Sequence, residues 1–173
     1  MTGAPLAAAA LRAPRLTRRL AGFVYEGMLL FGVVMAAGLV YALITDQRHA
    51  LQGSLGLRIF LFLVLGGYFV WFWTRQGQTL AMRTWRMQLV TVTGERPGWL
   101  RASCRYVLCW LWFVPALMSL SLSGLKGAGP TFGAVSAGVL AYALLVFLHP
   151  QRQFLHDVVC GTRLIPWTPR PKP

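Results

Sequence analysis

Long apolar stretches alternate with short arginine-bearing ones along this chain. Leu20 to Ile44 runs for 25 residues with Glu26 as its single charge, and Ile59 to Thr74 is charge-free for 16. Tyr106 to Leu125 gives 20 uncharged residues and Thr131 to Leu148 gives 18. A hydrocarbon core of roughly 30 Å takes about 20 residues of helix to cross, so each stretch reads as a membrane span. The second reaches spanning length if it starts near Leu55 and Arg58 lifts its charge to the headgroups. The pattern predicts an all-α membrane protein with four transmembrane helices, at about 20–44, 55–74, 106–125 and 131–149. Pro115 removes one backbone donor from the third and predicts a kink there.

The connection between spans two and three has a different periodicity. Gly77 to Met87 reads as a short helix capped by Thr79, with Leu80, Arg83 and Met87 on one side. Gln88 to Thr93 alternates apolar and polar residues of β-branched type and ends in a Gly94-Glu95-Arg96-Pro97 turn. Gly161 to Ile165 has the same short-strand character. Pairing of the two would form a small interfacial cytoplasmic segment and bring Asp157 near the head of the first helix. Residues 1–18 then form a basic N-terminal segment, 19–165 the transmembrane domain, and 166–173 a Pro-rich tail.

Composition strengthens the membrane reading. Hydrophobic residues make up 56% and charged residues 12%, about half the charged share of a soluble domain. Seventeen Lys and Arg against four Asp and Glu give a net charge of +13, a balance that also raises a nucleic-acid interface. Placement decides between the two. Fourteen basic residues, among them Arg12, Arg15, Arg18, Arg19, Arg105 and Arg163, fall on one side of the spans, and Arg48, Arg58 and Lys126 on the other. That asymmetry predicts both termini in the cytoplasm, with the arginines facing anionic headgroups of the lipid bilayer rather than nucleic acid. The first span is too long and too acidic for a cleaved signal sequence. Cys104, Cys109 and Cys160 show no disulfide or CxxC spacing and read as reduced apolar fillers.

An acid within a bilayer is expensive, which makes Glu26 the most informative residue. Arg19 lies seven residues earlier, on nearly the same helical face, with Arg15 and Arg12 close to that stripe. Glu26 is either a structural partner of a basic residue, or of Tyr25, Ser119 or Ser121, or a titratable ion or proton site. His156-Asp157 follows the fourth span. Without histidine partners at ligand spacing, other than His149, it predicts no metal site, and Asp157 can equally cap a short segment and pair with a basic group. No phosphate loop, nucleophile elbow or metalloprotease helix occurs, so neither a cofactor nor catalytic residues are expected.

Taken together, Arg19 at the head of the first helix, the acid within that helix, and Leu155-His156-Asp157 with Gly161-Thr162 resemble the RDD family of bacterial membrane proteins, named for one arginine and two aspartates. The stretch Gly77-Gln78-Thr79, Arg83 and Met87 to Val90 is similar to that family's segment between helices. Two departures stand out: Glu26 occupies the place of the first aspartate, and Leu80-Ala81-Met82 stands where the family usually has Pro-Gly-Lys. The resemblance implies an inner-membrane protein with a role in transport, including cation–proton exchange, and a site of Arg19, Glu26 and Asp157 with His156, Thr79, Gly161 and Thr162 beside it.

Two functions follow as expectations, neither of them enzymatic. In one, a homo-oligomer moves a small monovalent cation against protons through the carboxylates. In the other, the chain is a membrane scaffold or assembly partner, and the triad is a clamp in which Arg19 and Asp157 form an ion pair. Gly133, Ala137 and Ala141 are a small-residue stripe suited to close helix packing within or between chains.

Overall fold

The computed structural model describes residues 13–45, 54–124 and 127–167. Arg12, Arg48, Lys126 and residues 168–173 of the tail lie outside them. Four helices are long and apolar enough to cross a membrane. Helix α1 spans Leu16–Thr45 and α2 spans Ser54–Arg75. The third span is α4 (Trp99–Cys109), a single 3-10 turn at Trp110–Trp112, and α5 (Val114–Ser123). The fourth is α6 (Ala128–Leu144), closed by a 3-10 turn at Leu145–Leu148.

The third span differs from its sequence reading in where it begins. It starts at Trp99, seven residues before Tyr106, so Arg101 and Arg105 sit on the helix rather than in the connection. Ala102, Arg105 and Tyr106 are buried at helical spacing, while Arg101 is exposed. An amphipathic turn thus precedes the apolar run. Pro115 sits in the first turn of α5, where its missing N–H has no intrahelical partner to lose. The expected kink is therefore a break, taken up by the 3-10 turn before it.

Between α2 and α4 lie a short helix α3 (Leu80–Thr84) and strand β1 (Met87–Thr91). Thr79 caps α3 by accepting from the Met82 N–H at 3.2 Å. Ala81 and Met82 face inward, and Leu80 and Arg83 are exposed. After the fourth span, α7 (Leu155–Val159) leads into β2 (Thr162–Pro166), which pairs antiparallel with β1. Leu89 opposes Leu164 and Thr91 opposes Thr162 in that register. Pro166 closes β2.

Gly77 makes the turn from α2 into this segment. It has φ +69°, and its carbonyl accepts from the Leu89 N–H at 2.8 Å. A Cβ there would lie 2.9 Å from the Leu89 carbonyl oxygen, so only glycine fits without displacement.

Buried side chains collect at the end of the bundle that carries the strands. Val70, Trp73, Met82, Leu89, Ala102, Tyr106 and Leu164 form one cluster; Trp112, Tyr142, Ala143, Val146 and Phe154 form another. The far end of α1 is bare, with Leu43 and Ile44 exposed. In a membrane protein such faces meet hydrocarbon, which solvates leucine as well as a protein interior does. Within the chain, the fourth span packs closely through Gly138, where a Cβ would lie 2.7 Å from that of Ala116. Gly133, Ala137 and Ala141 face outward instead.

Candidate functional site: a buried polar cluster beside an apolar cavity

Glu26 lies on the inner face of α1, and both of its oxygens are engaged by hydroxyls. Tyr68 of α2 donates to Oε1 at 2.7 Å, and Thr79 donates to Oε2. Thr79 can serve two masters because a hydroxyl has one proton and two lone pairs: it accepts from the Met82 N–H and gives its proton to Glu26. The α3 cap thereby docks onto the acid of α1. Tyr25, Ser119 and Ser121 are not its partners; Tyr25 is exposed and Ser119 bonds its own helix at the Ala116 carbonyl. Among the described residues Glu26 has no ion-pair partner.

Asp157 is fully buried, and its partner is Arg105 rather than Arg19. The Arg105 Nε donates to Oδ1 at 2.7 Å, and the Thr162 hydroxyl donates to the same oxygen at 3.0 Å. Arg105 also lies flat over Trp73, 4.2 Å from the ring centre, and points Nη1 at Cys109 Sγ. Burial opposes the charge on Asp157, but Arg105, His156 and these hydrogen bonds hold its carboxyl below the usual carboxylate range. The expected Arg19–Asp157 ion pair is absent. Because α4 begins at Trp99, Arg105 comes inside and reaches the carboxylate first.

His156 completes this cluster. Its backbone N–H donates to the Tyr142 hydroxyl at 3.1 Å, and the same hydroxyl is hydrogen-bonded to Nδ1 at 2.9 Å. Nε2 of the ring lies 3.6 Å from Asp157 Oδ2 and 3.5 Å from Arg105 Nη2. Burial pushes its pKa down to about 4, against the pull of Asp157, so the imidazole is neutral at pH 7. Gly161, at φ +63°, ends α7 and turns Thr162 back toward Asp157. Gln153, also buried, exchanges two 3.1 Å hydrogen bonds with the backbone of Leu164 and fixes β2 against this loop.

Arg19 is buried near the start of α1, its guanidinium carbon 4.2 Å from the centre of the Phe154 ring. Its Nε and Nη1 have no hydrogen-bond partner among the described residues. It faces a cavity of about 370 Å³ shared with Glu26, Thr79, Arg105 and His156 but walled mainly by apolar side chains. No three His, Cys, Asp or Glu side chains are grouped for metal binding among the described residues. The oxygens of Glu26, Thr79 and Tyr68 lie together, and oxygen is the donor that suits a small hard cation.

The sequence-derived residues therefore form two clusters, not one triad. Glu26 and Thr79 form the first; Asp157, His156, Gly161 and Thr162 form the second; Arg19 pairs with neither. Sequence reasoning missed Arg105, Tyr68, Tyr142 and Gln153. For Arg105 a signal existed in the i, i+3, i+4 spacing of Ala102, Arg105 and Tyr106. For Tyr68, whose hydroxyl could serve an interface or a buried acid, none did.

The RDD family model matches residues 13–161. No curated protein and no solved structure is found to be similar. The matched stretch includes all four spans and the polar residues from Arg19 to Asp157, and the chain belongs to the RDD family, as a multi-pass membrane protein.

Proposed function

We propose that this protein exchanges a small monovalent cation for a proton at Glu26, in the bacterial cytoplasmic membrane with both termini inside. The observation that carries this reading is that Glu26, on a membrane-spanning helix, is held by two hydroxyls and, among the described residues, by no cation. An intramembrane acid without a counter-charge marks an ion or proton pathway more often than a structural pair. Protonated, it keeps one acceptor oxygen and a donor; deprotonated, it offers a carboxylate and two hydroxyl oxygens to a cation. Arg105 and Asp157 neutralise each other and serve as the structural tie. Four helices are few for an alternating-access pathway, so the working unit is a homo-oligomer, joined through the outward Gly133, Ala137 and Ala141 face.

The test is ion flux in proteoliposomes across a pH gradient with Na⁺, K⁺ and Li⁺ in turn. Wild type is expected to couple one of them to proton movement, and Glu26→Gln to insert normally and lose that coupling. Wild type without flux for any of the three would overturn the reading.

A second reading, a membrane scaffold, draws on the closure of the C-terminal segment onto α4 by Arg105, Asp157 and Thr162. It expects Glu26→Gln to be neutral for assembly with a partner protein and Asp157→Ala to abolish it.

A further inference from the structure

We propose that the cavity beside α1 seats one anionic phospholipid, with its phosphodiester on Arg19 and an acyl chain along the apolar walls. Arg19 is only 4% exposed, yet its Nε and Nη1 meet no acceptor among the described residues. A buried guanidinium left so is costly, and among the described residues only the longer-range field of Asp157 offsets it: that carboxylate takes Arg105 and Thr162 on Oδ1 and makes no ion pair with Arg19. Stacking on Phe154 occupies the face of the guanidinium and leaves its N–H groups in the plane, where a phosphate accepts two of them side by side.

The lining of the cavity suits one acyl chain of such a molecule. Arg19 is the fourth residue of α1, at the level where headgroups lie, and the cavity extends along the helix to Leu30. Eleven residues at 1.5 Å rise make that about 16 Å, from the interface into the hydrocarbon. Its walls there are Phe23, Leu65, Phe69, Trp110 and Phe113. Val24 and Gly27, at its edge, are exposed on a spanning helix, so the mouth opens toward lipid rather than water. The volume of about 370 Å³ takes part of one acyl chain, and the remainder of the lipid lies in the bilayer outside the cavity. Glu26 also faces this space, but its oxygens are turned to Tyr68 and Thr79. At the interface end, Arg18 adds a second positive charge, anchored on the Trp85 and Arg86 carbonyls. That excess favours a head with net negative charge over a zwitterionic one.

The experiment is native mass spectrometry of the full-length protein in detergent, titrated with dioleoyl phosphatidylglycerol and, separately, with phosphatidylcholine of the same chains. Wild type is expected to retain one phosphatidylglycerol at least tenfold more tightly than phosphatidylcholine, and Arg19→Gln to lose that preference. Gly27→Trp keeps Arg19 and fills the mouth at a position open to the outside, so it should weaken phosphatidylglycerol retention even if Arg19→Gln fails to fold. Equal retention of both lipids by wild type, or an undiminished preference in Gly27→Trp or in folded Arg19→Gln, would overturn the proposal. So would inorganic phosphate displacing the lipid at millimolar concentration, since the site would then be one for a soluble anion.

Discussion

Arg105 Nε meets Asp157 Oδ1 at 2.7 Å with both side chains buried, joining the third span to the segment that follows the fourth. Removing one member of such a pair leaves the other charged and unsolvated, a loss of about 3–5 kcal/mol. Arg105→Ala and Asp157→Ala should each lower the melting temperature of the purified protein sharply and reduce its abundance in membranes. Arg105→Met with Asp157→Leu removes both charges at once and should cost less than the sum of the single changes. The coupling in the Arg105/Asp157 cycle should exceed that in an Arg19/Asp157 cycle; the reverse order would restore the Arg19 clamp.

His156 makes the stability of this cluster pH-dependent. Its folded pKa of about 4 lies below the ordinary 6.5, because burial disfavours the imidazolium. The unfolded chain therefore binds a proton that the folded one refuses as pH falls between those values. Stability from the neutral ring is fully present above 6.5 and is lost progressively toward 4. Melting temperature measured from pH 7.5 to 4 should decline across that window, and His156→Gln should flatten the decline. The lowered Asp157 adds a further loss only below the ordinary carboxylate range near 3.8.

The spans could be read from the sequence because the bilayer imposes a filter of length and apolarity that needs no tertiary information. The β1–β2 pair was legible for a similar local reason, the alternation in 88–93 and again in 161–165. The partner of Asp157 was not. A count of charges placed Arg105 with the other arginines of the connection, whereas an amphipathic turn ahead of the apolar run carries it inside. Thr79 was recognised as a cap, but its bond to Glu26 depends on α3 folding back against α1, a long-range contact that no spacing encodes. For the same reason Glu26 could be singled out while its hydroxyl partners could not.

Two glycines with positive φ should respond differently to substitution. Gly161, at φ +63°, has open space where a Cβ would go, so Gly161→Ala should cost only the left-handed backbone, about 1–2 kcal/mol. Gly161→Asn should recover part of that, since Asn tolerates this conformation. Gly77, at φ +69°, has the Leu89 carbonyl 2.9 Å from the Cβ position. Gly77→Ala and Gly77→Asn should then be equally damaging, because the clash is with backbone. Denaturation of the four variants in one detergent checks this; recovery by Asn at position 77 would contradict the contact.

Orientation is the last expectation. The strands β1 and β2 share one end of the bundle with the start of α1, and the basic residues of the connection and the C-terminal segment lie there too. The positive-inside rule puts that end in the cytoplasm. Thr93 and Gly127, both exposed and on opposite sides of the third span, can each be changed to Cys in a background with Cys104, Cys109 and Cys160 replaced. In intact cells an impermeant maleimide should label position 127 and spare position 93, and lysis should expose position 93. Labelling of position 93 before lysis would invert the protein and with it the side from which Arg19 meets its headgroup.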